Sequence, residues 1–108
     1  MSKQVQTLTL TKNLNSESAL EFQRNIAKIV ESKAEVVLID CQHITFLDSR
    51  GLGYLVLAFK NLQKAGIKMV LCSLSEQVRM IFELTSIDEI FEIFANQDDF
   101  HRELVNKT

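Results

Sequence analysis

The sequence predicts one α/β domain, built on a mostly parallel sheet of four to five strands with about four helices packed on one face. Two apolar runs, residues 36–39 and 67–71, are rich in β-branched or other large apolar residues, as in strands buried on both faces of a parallel sheet. Between them lies a stripe of apolar residues at helical spacing, and such alternation favours right-handed crossovers. The 108 residues include no proline and no linker-like segment, so we expect residues 1–108 to form a single domain.

Composition and charge exclude several classes of function. With 46% hydrophobic residues the chain can form an ordinary core, and a net charge of −2 lacks the basic footprint of a nucleic-acid-binding protein. The apolar stretches are far shorter than the roughly 20 residues that span a bilayer. The residues after Met1 do not begin a secretion signal. We therefore expect a cytoplasmic protein that contacts neither nucleic acid nor membrane directly.

Local patterns place the elements of the first part of the chain. Alternating polar and apolar residues predict a strand over residues 5–10. Ser18, with Glu21 three residues later, predicts a capping box at the start of an amphipathic helix that ends near Ser32. The buried strand over 36–39 follows this helix.

The second part of the chain continues the alternation. Ser49 precedes a helix whose apolar stripe runs to Leu62 and which Gly66 ends, because glycine most easily adopts the left-handed conformation after a helix. The remaining predicted elements are a strand over 67–71, a helix capped by Ser75, a short strand over 89–94, and a helix capped by Asn96 with Phe100 and Leu104 facing inward.

The chain offers little for metal binding or for its own chemistry. Cys41 and Cys72 lie far apart without ligand or redox spacing, so we expect two free thiols, most simply buried at strand ends. The histidines, His43 and His101, also lack ligand spacing, and no Gly-x₄-Gly-Lys phosphate loop is present. We predict no metal site and no cofactor.

The most informative segment is residues 46–53, between a buried strand and an amphipathic helix. Ser49 is expected at the helix N-terminus, where unpaired backbone N–H groups and the helix dipole favour a phosphate group. Glycine inside a helix costs about 1 kcal/mol relative to alanine. Gly51 and Gly53 keep the first turn slim, so that another protein's backbone can approach.

A purely structural interpretation of the same segment is also open. Serine is a preferred N-cap, worth about 1 kcal/mol over alanine. Asp48 can equally be a loop carboxylate that accepts hydrogen bonds from nearby amides. Residue types alone do not choose between a cap and a contact surface.

The segment Asp48-Ser49-Arg50-Gly51-Leu52-Gly53 resembles the Asp-Ser-small-Gly-Leu/Ile-Gly signature of STAS domains, specifically the bacterial anti-sigma factor antagonists. The similarity extends over about residues 8–105 and includes the strand before the motif and the strand after the following helix. In that family the serine after the aspartate is phosphorylated by a partner that is both a serine kinase and an anti-sigma factor. The resemblance implies Ser49 as the phosphorylation site. It also implies that the unphosphorylated protein sequesters the anti-sigma factor and frees a sigma factor, and that a serine phosphatase resets the cycle.

The resemblance implies a partner-binding surface as well. Asp48 would orient the serine or support the kinase encounter, and the helix from Gly51 onward would form part of the docking face. Arg50 replaces the small residue usual after the serine, and Lys12 and Asn15 replace the Gly and Asp of a Gly-x-Leu-Asp turn. The implied partner-binding residues are Asp48, Ser49, Arg50, Gly51, Leu52, Gly53 and Asn15.

Two other functions remain open from the sequence. One is a STAS interaction module without phosphorylation, in another signalling or transport assembly, with Arg50 contacting a different partner. The other is an enzyme with Ser49 as nucleophile, which would need His43 or His101 as its base and lacks a Gly-x-Ser-x-Gly elbow. We therefore predict that the chain is not an enzyme.

Acidic residues of the C-terminal part either form a solvated face or steer a basic partner, namely Glu83, Asp88, Glu89, Glu92, Asp98 and Asp99.

Overall fold

A computed structural model describes residues 4–106 and confirms the α/β fold class. Within that range four strands form one sheet in the order β1-β2-β3-β4, and each neighbouring pair is parallel. The strands are β1 (Val5–Thr9), β2 (Val36–Asp40), β3 (Lys68–Cys72) and β4 (Glu92–Phe94). The helices are α1 (Ala19–Glu31), α2 (Ser49–Lys64), α3 (Glu76–Leu84) and α4 (Gln97–Asn106), and a 3₁₀ turn (Ile87–Glu89) follows α3. Residues 1–3, at which we expect no secretion signal to begin, lie outside the described range.

The main core lies between one face of the sheet and helices α1, α2 and α3. Side chains alternate between the two faces of a strand, so every second residue of β2 and β3 points toward these helices. Val37, Ile39, Met69 and Leu71 are at most 2% exposed and belong to this cluster. The predicted burial of the two apolar runs is therefore confirmed.

Helix α4 lies on the opposite face of the sheet, so the prediction that all helices share one face is wrong for this helix. Phe100 is buried in a second cluster with Val36, Leu38 and Val70, and Leu104 packs against that cluster. The physical reason is that the central strands are apolar on both faces. Both faces need a cover, and α4 supplies the second one.

A buried carboxylate fixes the start of α4. Asp40, at the end of β2, is 1% exposed, and its Oδ2 accepts hydrogen bonds of 2.9 Å from the side-chain amides of Gln42 and Gln97. Its Oδ1 accepts from the Gln42 backbone N–H at 3.1 Å. Three donors satisfy this buried group, and one of them is the first residue of α4.

Three predicted helix signals are confirmed. Gly66 has φ +76°, the left-handed conformation expected after α2. Ser75 Oγ accepts from the Val78 N–H at 3.2 Å at the start of α3. Asn96 Oδ1 accepts from the Asp99 N–H at 2.8 Å at the start of α4.

The predicted capping box at α1 is wrong. Ser18 precedes α1 but its hydroxyl makes no cap hydrogen bond to the helix; instead Oγ donates to the Asn13 carbonyl at 2.8 Å. The Glu21 carboxylate does not accept a hydrogen bond from the Ser18 N–H, as a capping box requires, and instead lies 3.4 Å from Lys12 Nζ. The backbone N–H groups at this turn bond to Asn15, upstream of Ser18.

Candidate functional site

Helix α2 begins at the segment that the sequence indicates, and Asp48 caps it. The Asp48 backbone is extended (φ −93°, ψ −176°), and Oδ1 accepts a hydrogen bond of 2.8 Å from the Gly51 N–H. The Asp48 carbonyl accepts the first helical hydrogen bond, from the Leu52 N–H at 3.0 Å. The carboxylate, rather than the Ser49 hydroxyl, is therefore the helix cap.

Ser49 is the first residue of α2 and its side chain is exposed. Within residues 4–106 no hydrogen bond engages its hydroxyl, because Asp48 already provides the cap. Backbone N–H groups of a first helical turn lack intrahelical partners and carry the positive end of the helix dipole. The hydroxyl is thus accessible to another protein, and an anion placed on it would be favoured by the helix.

Gly51 is explained by a contact within the chain. It is buried, and a Cβ atom at this position would lie 2.5 Å from the Leu14 carbonyl oxygen and 2.8 Å from Leu47 Cδ2. The interpretation of Gly51 as an opening for another protein's backbone is therefore corrected: the approaching backbone is that of Leu14. Leu52 is also buried, at 6% exposure. These two implied partner-binding residues therefore lie beneath the surface and support its exposed residues.

Gly53 differs from Gly51. It is exposed, and outside α2 a Cβ atom at this position would meet no atom of residues 4–106 within 4 Å. No contact within the described residues requires a glycine here, although a glycine in a helix interior is unfavourable.

Asn15 caps the turn that leads into α1. Its Oδ1 accepts hydrogen bonds from the backbone N–H groups of Glu17 (2.9 Å) and Ser18 (3.2 Å). An asparagine side chain that bonds the backbone two and three residues later is typical of a turn or helix start. Asn15 is exposed and has a structural role that the sequence did not reveal.

The segment around Asn15 is fastened to the loop that precedes α2. Asn13 Oδ1 accepts from the Thr45 N–H at 2.8 Å, and Asn13 Nδ2 donates to Thr45 Oγ1 at 3.2 Å. The neighbouring Leu14 carbonyl faces Gly51. These contacts bring residues 13–16 beside the N-terminus of α2.

Arg50 is the charged link between the two segments. Its Nη1 donates a hydrogen bond of 3.2 Å to Ser16 Oγ, and both residues are exposed. Asn15, Asp48, Ser49 and Arg50 therefore belong to one region of the surface. The structure brings together the exposed members of the implied partner-binding set.

Apolar side chains extend this surface. Phe46, two residues before the cap, is 58% exposed, and Leu57, two turns into α2, is 47% exposed. The sequence pattern indicates no role for Phe46, and Leu57 lies outside the apolar stripe of α2. Its departure from the stripe spacing is the signal that could have identified it as a surface residue.

The two cysteines lie in the core as free thiols, as predicted. Burial, followed by the nearby Cys72 and Asp40, raises the pKa of the Cys41 thiol to about 12. Burial also raises the pKa of Cys72. Reactive cysteines require a lowered pKa, so neither thiol is suited to nucleophilic chemistry.

Within residues 4–106 no hydrogen bond joins Ser49 to either histidine. His101 belongs to α4, on the opposite face of the sheet from α2, and its ring packs against Phe100 at 5.1 Å between centroids. His43 is exposed in the loop after β2.

Over residues 4–106 there is no cluster of three or more potential metal-ligand side chains. A helix with the length and apolar content of a membrane span is also missing from this range.

The family model and the similar proteins point to the same family. The STAS domain family model matches residues 2–100. The anti-sigma-B factor antagonist of Listeria monocytogenes is 37% identical over 67 residues, which are 61% of this chain and 59% of that protein. The match thus spans less than two thirds of the relative's length.

Solved structures share the fold. A protein of Thermotoga maritima assigned as an anti-sigma factor antagonist superposes with a TM-score of 0.83 at 25% identity, over 93% of this chain and 86% of that one. SpoIIAA, an anti-sigma factor antagonist, has been solved unphosphorylated (TM-score 0.74, 14% identity, 94% of this chain and 90% of that chain). The phosphorylated form of SpoIIAA from Bacillus has also been solved. It superposes on this chain with a TM-score of 0.68 at 14% identity, over 94% of this chain and 93% of that one. At this low identity the likeness to SpoIIAA concerns the fold.

Proposed function

Because the chain belongs to the STAS domain family, we propose that it is an anti-sigma factor antagonist switched by phosphorylation at Ser49. The unphosphorylated form binds an anti-sigma factor that is also a serine kinase, and this binding releases a sigma factor. Phosphorylation ends the interaction, and a serine phosphatase restores it. The cycle takes place in the cytoplasm, and the chain itself catalyses no reaction.

The observation that carries the proposal is the exposed hydroxyl of Ser49 in the first turn of α2, which forms no hydrogen bond with the part of the chain that the structure describes. A kinase needs an accessible hydroxyl, and Asp48 leaves it free by taking the capping role. The relatives named anti-sigma factor antagonists support the general role.

The physical basis of the switch is a change of charge at a close contact. A phosphate adds about −1.5 to −2 charges at neutral pH and three acceptor oxygens. The first-turn N–H groups would hold it at the helix N-terminus. An interface that fits a serine hydroxyl would then have to bury an additional charge, which is costly without a partner for it.

Two measurements test the switch. Incubation with the cognate kinase and ATP should add one phosphate to the intact mass, mapped to Ser49 by peptide analysis and absent in Ser49→Ala. Affinity capture with Ser49→Ala as bait should retain the kinase, because this variant cannot be switched off. A mass that stays unchanged with an active kinase would remove the proposal.

Arg50 favours a second candidate, a STAS interaction module that binds its partner without phosphorylation. Its guanidinium lies beside the serine in sequence and bonds Ser16. This module predicts equal partner affinities for Ser49→Ala and Ser49→Asp. The switch predicts persistent binding by the alanine variant and weak binding by the aspartate variant.

A further inference from the structure

A groove runs along α2 away from Ser49. Ser49 lies at one end and Lys60 at the other, which corresponds to a length of ~16 Å at about 1.5 Å per helical residue. The 3₁₀ turn forms its second wall through Ile87. Between the two ends the groove, called the α2 groove below, is lined by Leu52, Gly53, Val56, Leu57 and Ile87.

The lining of the α2 groove is mostly apolar and reachable from outside. Leu57 is 47% exposed, and Val56 and Ile87 are half-buried. Beside Ile87 in the chain, Leu84 and Ile90 are 83% and 45% exposed. Apolar side chains gathered at a concave surface favour contact with another molecule.

Gly53 opens one wall of the groove. Apart from α2 itself, no atom of residues 4–106 lies within 4 Å of the position of a Cβ atom, so the surface there is formed by the helix backbone. Another chain can approach α2 more closely at this point than at any residue with a side chain. The glycine costs helix stability without a contact that explains it, and a close intermolecular contact supplies a reason.

Acidic residues follow Ile87 at the edge of the second wall, whereas the charged residue in the lining itself is Lys60, at the opposite end from Ser49. Residues 80–100 contain six acidic residues and no Lys, Arg or His. Glu92 forms an ion pair with Lys68 at 2.7 Å, and Asp99 pairs with Arg102. In contrast, Glu83, Asp88 and Glu89 are exposed next to Ile87 and form no ion pair within residues 4–106.

We propose that the α2 groove binds a segment of the anti-sigma factor in which apolar side chains are flanked by Lys or Arg. This inference rests on the proposed function and specifies the partner surface. The apolar side chains cover Leu57 and Ile87, the segment's backbone passes over Gly53, and its cations face Asp88 and Glu89. The interface then extends along α2 well beyond the serine, and the charge pattern selects a basic partner segment.

The test uses the purified anti-sigma factor that Ser49→Ala captures, with all variants made in the Ser49→Ala background. Gly53→Leu fills the open wall, and its Cβ atom meets no other element of residues 4–106 within 4 Å; partner affinity should fall at least tenfold while stability to urea is not reduced. Asp88→Lys with Glu89→Lys should slow association at least tenfold at low salt, and less at high salt. The matched control is Glu31→Lys with Glu35→Lys, an equal charge change at exposed residues elsewhere, and it should change the rate less than twofold. Normal binding by both groove variants would overturn the inference and leave the phosphoswitch intact.

A second arm does not depend on the partner. Two synthetic 12-residue peptides, one of Leu and Lys and one of Leu and Glu, are titrated into the isotopically labelled protein. The Leu/Lys peptide should shift backbone amide signals of residues 52–60 and 83–90, and the Leu/Glu peptide should not. Equal shifts with both peptides, or shifts only elsewhere, would contradict the groove's proposed chemistry. Failure to capture any kinase with Ser49→Ala would instead count against the proposed function.

Discussion

Asp48 and Ser49 are neighbours with separate physical roles. The Asp48 carboxylate bonds the Gly51 N–H at 2.8 Å and caps α2, and this leaves the Ser49 hydroxyl exposed. A serine that also served as the cap would offer its oxygen less readily to a kinase. At the residue scale, the site depends on one side chain that caps the helix and an adjacent side chain that stays exposed.

The cap can be measured by substitution. Asp48→Ala should lower the free energy of unfolding by about 1 kcal/mol, whereas Asp48→Asn should retain most of the stability, since asparagine also caps well. Ser49→Ala is the matched variant and should change stability much less. Urea denaturation at neutral pH gives all three values. A larger loss for Ser49→Ala than for Asp48→Ala would mean that the serine caps the helix.

The two glycines of α2 should respond in opposite directions. Gly51→Ala forces a Cβ atom against the Leu14 carbonyl and should destabilise the fold by about 1–3 kcal/mol. Gly53→Ala meets open space and should stabilise it by about 0.5–1 kcal/mol through helix propensity. Urea denaturation of both variants provides the comparison. Equal effects would contradict the assigned environments.

The buried thiol of Cys41 predicts a loss of stability in alkali. Its pKa is raised from an ordinary value of 9.0 to about 12 in the folded protein. Above about pH 9 the unfolded chain releases this proton while the folded chain keeps it, so the free energy of unfolding falls as pH rises toward 12. Below that range the contribution is fully present. Denaturation at a series of pH values should show a shallower alkaline decline for Cys41→Ala than for the parent chain, and identical slopes would disagree with this account.

Residue-level predictions from the sequence succeeded where a signal was local. The motif indicated an exposed serine at the start of a helix, and Ser75 and Asn96 were identified as caps. The reason for Gly51 was not predictable, because Leu14 reaches it only through the tertiary fold. The cap of the turn before α1 was misplaced since Asn15 and Ser18 are both good capping residues within four positions.

At the scale of elements, α4 is held by one buried polar contact and one apolar cluster. Gln97 donates to the buried Asp40 carboxylate, and Phe100 packs against Phe94 with ring centroids 5.6 Å apart. Asp40 joins the end of β2 to the start of α4, two elements far apart in the chain.

Removal of this contact should loosen α4 in particular. Gln97→Ala takes one donor from a buried carboxylate and should cost about 1–3 kcal/mol of stability. Hydrogen exchange of the α4 amides should accelerate more than exchange of the α2 amides. Gln77→Ala, at an exposed position of α3, is the matched control and should leave both unchanged. Uniform acceleration over all helices would contradict a local role for Gln97.

The order of strands and helices could be predicted because each element carries its own period of apolar residues. The inward-facing residues of α4 were also identified correctly, and Phe100 is buried. The face on which α4 packs was not predictable. A strand that is apolar on both sides, such as β2, requires two covers but does not indicate which helix supplies each one.

At the scale of the whole molecule, a net charge of −2 conceals an uneven distribution. Helix α2 carries Arg50, Lys60 and Lys64 without an acidic residue, whereas residues 80–100 carry only acidic charges. Part of the acidic region reaches the α2 groove, where Ile87 lies opposite α2 and is followed in the chain by Asp88 and Glu89. A charged partner therefore meets an oriented field, which favours one direction of approach.

The affinity of the purified anti-sigma factor for the unphosphorylated and the Ser49-phosphorylated chain is the most direct measurement. Both forms are prepared from the same protein, verified by intact mass, and titrated under identical salt and pH. We expect the phosphorylated form to bind about 100-fold more weakly, equivalent to about 2.8 kcal/mol. Equal affinities of the two forms would contradict the phosphoswitch and favour the constitutive interaction module.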